Sequence, residues 1–240
     1  MLDAGTGLRR LAAVLGDTPF RGTVLLGHLH WDHTQGLPFF AAGDRPDASV
    51  RLLLPRQAGR AKQLLARMMS PPNFPISPDE LRGDWSFDSI DEGHHDLEGF
   101  DVLAREIPHK GGRTFGYRVA DEHGRSIAYL SDHAPHLLGG GESGLGEIHP
   151  TALELVAGTE LLIHDAQYTT AELAVRGSFG HSAAEYPALL AERAGVPRIL
   201  LYHHDPSRTD EQVRAIAAEV AAAHPSVDVD IATEGAVIDL

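Results

Sequence analysis

Four potential metal ligands fall within six residues of this chain. The apolar run at residues 23–26 leads into His28, Leu29, His30, Trp31, Asp32 and His33. A strand presents alternate side chains to one side, so His28 and His30 can reach one cation together, while Asp32 and His33, on the turn beyond, can reach a second beside it. The bland alternative is a solvated polar turn, but a soluble chain rarely spends three histidines and an aspartate on one turn. A fold that uses this run must end a strand where other loops gather to form a pocket.

Composition narrows which ligands can complete such a site. Cysteine is absent, which removes disulfides and thiolate ligands and leaves imidazole and carboxylate. The 240 residues, 42% hydrophobic, can bury a substantial core, and with no linker or repeat the expectation is a single domain over residues 1–240. The formal charge of -14 repels polyanions and argues against nucleic acid as a partner. There is no run of 18 apolar residues and no signal-peptide pattern near Met1, so a cytoplasmic protein with no membrane partner is expected.

Hydrophobic patterning places the elements. Helices are expected at residues 7–15, 35–42 and 56–69, and strands at 23–27 and 49–54. Residues 70–81, with four prolines, read as a loop over one face. Strands at 100–107, 114–119 and 126–130 form a meander. The second half then alternates: helix 151–156, strand 160–163, helix 183–194, strand 198–202, helix 210–223 and strand 227–231. Two mixed sheets flanked by helices, an α/β sandwich of αββα layers, suit this order. His109, Asp132, His203 and His204 each stand at the end of one of these strands.

The run His28-Leu29-His30-Trp31-Asp32-His33 resembles the His-X-His-X-Asp-His signature of the metallo-β-lactamase superfamily residue for residue, and the later strand-end residues resemble its remaining ligands. The resemblance implies the four-layer αββα fold and two divalent metal ions, zinc first with manganese or iron as alternatives. It also implies a ligand set: His28, His30 and His109 on one ion, Asp32, His33 and His203 on the other, and Asp132 bridging. Alignment of residues 200–206 favours His203 over His204. A carboxylate bridge is chemically sensible, because its two oxygens can hold separate cations.

Gly180-His181-Ser182-Ala183-Ala184 resembles the His-Ser-Thr segment of ribonuclease Z and of the phosphoribosyl cyclic phosphodiesterases. Residues 162–166, ending in His164-Asp165-Ala166, occupy the place of the His-Glu-Ala-Thr segment of ribonuclease Z, with Asp for Glu and Gln167 for Thr. The simpler reading makes Ser182 a helix N-cap and leaves His181 without a role. Asp3, within Leu2-Asp3-Ala4-Gly5, matches a segment whose aspartate supports the metal turn in the family. Such proteins place strands before this segment, so either the natural start lies upstream of Met1 or the N-terminal strands are missing, and the sheet edge then left exposed would allow a homodimer. No long basic arm of the kind ribonuclease Z uses on transfer RNA is present.

The function these readings imply is a metal-dependent hydrolase of small cyclic or nucleotide-like phosphodiesters, acting through hydroxide supplied by a dinuclear site. Asp32 is a candidate to hold the attacking water. His181 is the candidate acid for the leaving oxygen, since imidazole titrates near neutrality. The alternatives are an acyl hydrolase of a lactone, thioester or β-lactam on the same fold, or a non-catalytic metal-binding module. Met68, Met69, Phe74 and Trp85, with the 70–81 loop, are expected either to wall the pocket or to be core. His133 and His136, flanking Asp132, are placed at the rim, and His149 at a helix start.

Overall fold

The computed structural model describes residues 1–240, which group into two compact units, Met1–Asp91 and Glu92–Leu240. The first unit carries α1 (Leu8–Leu15), β1 (Arg21–Leu25), β2 (Ser49–Pro55), α2 (Ala61–Ala66) and β3 (Asp84–Ile90). Its three strands pair in parallel in the order β1-β2-β3, with Leu25 opposite Leu53 and Leu52 opposite Phe87. Parallel strands are buried by crossover segments on their faces. Val24, Leu26, Leu52 and Leu54 accordingly form a core with Leu37, Phe40 and Leu65 from the segments between strands.

The second unit carries β4 (Gly93–Leu97), β5 (Phe100–Ile107), β6 (Thr114–Ala120), β7 (Ser126–Leu130), α3 (Pro150–Val156), β8 (Leu161–Asp165), α4 (Thr170–Arg176), α5 (Tyr186–Ala194), β9 (Arg198–Tyr202), α6 (Asp210–Ala223) and β10 (Asp228–Ile231). They build one seven-stranded sheet in the order β10-β9-β8-β7-β6-β5-β4. Strands β4 to β7 run antiparallel, as short turns allow, whereas β7 to β10 run parallel, as intervening helices require. Leu103, Leu130, Leu155, Leu162, Tyr186, Ile199 and Leu201 fill the core of this unit.

The expected elements need several corrections. The helix expected over 56–69 is confined to Ala61–Ala66, because Gly59 (φ +123°) and Arg60, in extended backbone, break it before its first turn. Pro38 and Gly36 limit the expected 35–42 helix to a 3-10 turn at Leu37–Phe39. The helix expected from residue 183 begins at Tyr186, since Ala184 N–H donates to the Tyr168 carbonyl, a bridge outside the helix. Ser182 is therefore no N-cap: its hydroxyl donates to the His133 carbonyl at 2.5 Å. Of the two readings left open for Trp85, pocket wall or core, the structure supports the second: its ring stacks on Phe87 at 5.8 Å and its indole N–H donates to the Gly43 carbonyl, which places it against the first core.

Candidate metal centre

In the first unit the metal turn is locked from below by the segment that follows Leu2. Asp3 takes a left-handed conformation (φ 55°), which Asp tolerates better than most residues. Its Oδ1 accepts from Gly27 N–H at 2.6 Å, and its Oδ2 accepts from His33 Nδ1 at 2.7 Å. Ala4 N–H donates to the His33 carbonyl and Gly36 N–H to the Ala4 carbonyl, each within 2.9 Å. Two glycines make so close an approach possible: a Cβ on Gly5 would stand 2.4 Å from the Asp32 carbonyl oxygen, and one on Gly36 would stand 2.0 Å from the Gly5 carbonyl oxygen.

This bracing sets the chemistry of the turn. With its Nδ1 proton held by Asp3, the neutral His33 ring keeps its lone pair on Nε2, which lies 3.4 Å from Asp32 Oδ2. The His28 ring meets those of His30 and His33 at centroid distances of 4.3 Å. His28 and His33 are buried, His30 is half-buried and Asp32 is exposed, so the turn offers two imidazoles from within, a third at its margin and one carboxylate at its surface. Replacing Asp3 with Asn keeps an acceptor for Gly27 and the left-handed backbone but removes the charge behind His33. The expected result is roughly 10- to 100-fold weaker metal affinity, read by competition with a chromophoric chelator.

The second unit gathers its candidates around Asp132, which follows β7 and is buried. His203 Nε2 lies 3.2 Å from Asp132 Oδ1, His109 Nε2 lies 3.5 Å from Oδ2, and His181 Nδ1 lies 3.7 Å from Oδ2. Asp132, His181 and His203 each present a ligand atom within 4.8 Å of the other two. His109 Nδ1 donates to the Gly180 carbonyl at 2.6 Å, which fixes the tautomer with Nε2 directed to Asp132. His203 stands in left-handed backbone (φ 54°), a strained position for a histidine that turns its ring toward Asp132 as β9 ends. His204 makes no contact with Asp132; burial lowers its pKa from the ordinary value.

His181 is oriented by a carboxylate that the reading from residue types did not single out. Asp165, at the end of β8 and fully buried, accepts from His181 Nδ1 at 2.9 Å through Oδ2. Its carboxylate is itself fixed by the backbone N–H groups of His133 (3.2 Å) and Gln167 (3.0 Å). The pair was discernible in the likeness of residues 162–166 to the His-Glu-Ala-Thr segment, where Asp165 takes the place of Glu.

The flanking histidines lie elsewhere. His136 Nε2 donates to the Gly177 carbonyl. His133 turns into the core, where its Nδ1 is 2.8 Å from His164 Nε2 and its Nε2 is 2.9 Å from His149 Nε2. His164 Nδ1 donates to the Asp165 carbonyl at 2.7 Å, and His149 Nδ1, capping α3, accepts from Ala152 N–H. The two ends fix every proton between them: His149 Nε2–H donates to His133, and His133 Nδ1–H donates to His164.

Burial pushes the His164 pKa down from 6.5 to about 4. The unfolded chain therefore takes up a proton between pH 6.5 and about 4 that the folded chain refuses. This stability is complete above the unfolded pKa and falls as the pH drops through that window, by on the order of 3 kcal/mol. Urea unfolding at pH 7 and pH 5, with chelator present so that metal release does not contribute, should show the midpoint falling with pH.

The fold with these strand-end clusters is the metallo-β-lactamase fold. The chain belongs to the β-lactamase superfamily of metal-dependent hydrolases: residues 1–204 match the family described as the beta-lactamase superfamily domain. A ribonuclease Z from Exiguobacterium sibiricum is 23% identical over 228 residues, covering 80% of this chain and 74% of the relative. The metallo-beta-lactamase fold protein YhfI from Bacillus subtilis superposes with a TM-score of 0.70 at 16% identity, covering 99% of this chain and 86% of that one. A diphosphatase from the PhnP family gives 0.63 at 17% identity, covering 89% and 72%. No helix is long and apolar enough to cross a membrane.

Proposed function

We propose that the chain is one hydrolase domain that cleaves small phosphodiesters at a site for two divalent ions, zinc in the first place. His28, His30 and His109 would hold one ion and Asp32, His33 and His203 the other, with Asp132 shared. The donor chemistry fits: the set is all imidazole and carboxylate, and His33 and His109 each have Nδ1 committed to an internal acceptor, which leaves Nε2 as the donor nitrogen. Two such ions would supply hydroxide at neutral pH and positive charge against the phosphoryl oxygens.

The observation that carries the phosphodiester reading is the His181–Asp165 pair. A phosphodiester expels an alkoxide, which leaves readily only when it receives a proton. Protonated His181 would deliver that proton from Nε2, and the buried Asp165 carboxylate would hold the ring in place and stabilise its positive charge. The name of a relative, ribonuclease Z, supports the same bond type. The net charge of -14 favours a small diester over a long polyanion.

The reading is tested by elemental analysis of protein purified without chelator, with turnover of bis(p-nitrophenyl) phosphate measured on the same sample. About two metals per chain, with turnover lost on chelation and restored by zinc, would support it. Two metals with hydrolysis of lactones or thioesters but of no diester would overturn the substrate class. A folded, metal-free sample would overturn the site.

A further inference from the structure

The first unit holds a cavity of about 330 Å³ that opens beside the metal turn. Trp31, between the ligand candidates His30 and Asp32, forms one wall with Phe39 and Phe74. Met68 and Met69 line it from the segment after α2. A cavity of this size matches the small-molecule range and holds one bicyclic ring system with room for its substituents. The walls are built: Phe39 and Phe74 meet edge to face at 5.7 Å, and Met68 Sδ accepts from Thr34 Oγ1 at 3.0 Å, which ties the 68–74 segment to the metal turn.

Two features decide what the cavity takes. Trp31 is 70% exposed and Phe39 is 56% exposed, so large aromatic faces that a core would cover stand open at its mouth. The polar lining is hydroxyl, amide and cation: Thr6 offers a hydroxyl, Gln35 and Asn73 offer amide groups, and Arg9 is the only charged residue. Asn73 commits its Nδ2 to the Arg67 carbonyl, which leaves Oδ1 to accept. Aromatic faces with amide edges and no carboxylate suit a flat, hydrogen-bonding heteroaromatic ring, because stacking supplies affinity and the amides read the ring edge. An alkyl ester would fill the space but leave the amides without partners.

We propose that this cavity binds the heteroaromatic base of a nucleotide substrate, stacked among Trp31, Phe39 and Phe74, with its phosphodiester directed to the adjacent metal turn. The assignment rests on the phosphodiesterase reading for its reaction, but its binding test is independent of turnover. Adenosine 5′-monophosphate and ribose 5-phosphate are titrated into the metal-loaded protein by calorimetry, with tryptophan emission followed in parallel. The nucleotide should bind about tenfold more tightly than the sugar phosphate and alone should quench emission, and the quenching should vanish in Trp31→Leu.

Phe74→Ala, and separately Phe39→Ala on a different segment, should erase most of that tenfold preference while sugar phosphate affinity stays unchanged. Equal binding of the two ligands by the wild type, or a preference that survives both substitutions, overturns the assignment even where diesters are hydrolysed. A preference that both substitutions remove, in a protein that hydrolyses no diester, upholds the base pocket and overturns the phosphodiesterase reading.

Discussion

His181→Ala is expected to lower turnover of an alkyl phosphodiester by roughly 10²- to 10⁴-fold, the usual contribution of a positioned proton donor. The size of the loss should depend on the leaving group. An alkoxide needs the proton that His181 would give, whereas p-nitrophenolate is stable enough to depart without it. The same variant should therefore lose far less on bis(p-nitrophenyl) phosphate. Asp165→Asn, which keeps an acceptor but removes the charge 2.9 Å from His181 Nδ1, should follow the same trend with a smaller loss. Metal content should stay at the wild-type level in the Asn variant. A loss in His181→Ala that is equal for both esters would show that the ring does not protonate the leaving oxygen.

The largest effect on stability is expected at Gly36→Ala. Its Cβ would stand 2.0 Å from the Gly5 carbonyl oxygen and 2.8 Å from that of Ala4. Both obstacles are backbone, and Ala4 is fully buried, so neither can swing aside as a side chain would. Overpacking of this kind costs typically 1–3 kcal/mol and sometimes more, and about 3 kcal/mol is expected here. For a chain of this length that lowers the melting midpoint by roughly 6–12 °C in calorimetry. Gly7→Ala is the control, since its Cβ would meet nothing within 4 Å; it should leave the midpoint unchanged or slightly higher. Comparable losses at the two positions would remove the argument from close approach.

How far the sequence was legible depends on whether a feature is local. Strand Arg198–Tyr202 and helix Asp210–Ala223 lie where periodicity places them, because each has a continuous apolar pattern and α6 opens on a Thr209 capping box. Helix α4 has the same signature in Thr169 and Glu172, yet its seven residues are too few to show a helical period, and no helix is among the expected elements there. β3 is absent from the expected elements although Trp85 and Phe87 alternate with polar residues, because Trp85 is weighed alone, as pocket wall or core, and not as part of a strand. β4 carries two adjacent histidines and little apolar content, and its pairing with β5 gives it order that its own composition does not. In the site, the support that Asp3 gives His33 was legible through resemblance. The inward turn of His133 depends on His149 and His164, 16 and 31 residues away, and no local pattern encodes it.

The array Ala152 N–H, His149, His133, His164 and Asp165 carbonyl has a direction, since each ring gives a hydrogen bond on one side and takes one on the other. A replacement that only donates or only accepts breaks one link and strands a buried partner, while an amide of altered reach must satisfy two neighbours at once. Evolution should consequently treat the three positions as one character. Lineages of this family that keep any of the three histidines are expected to keep them together, and those that lose them should show an apolar trio in the same space.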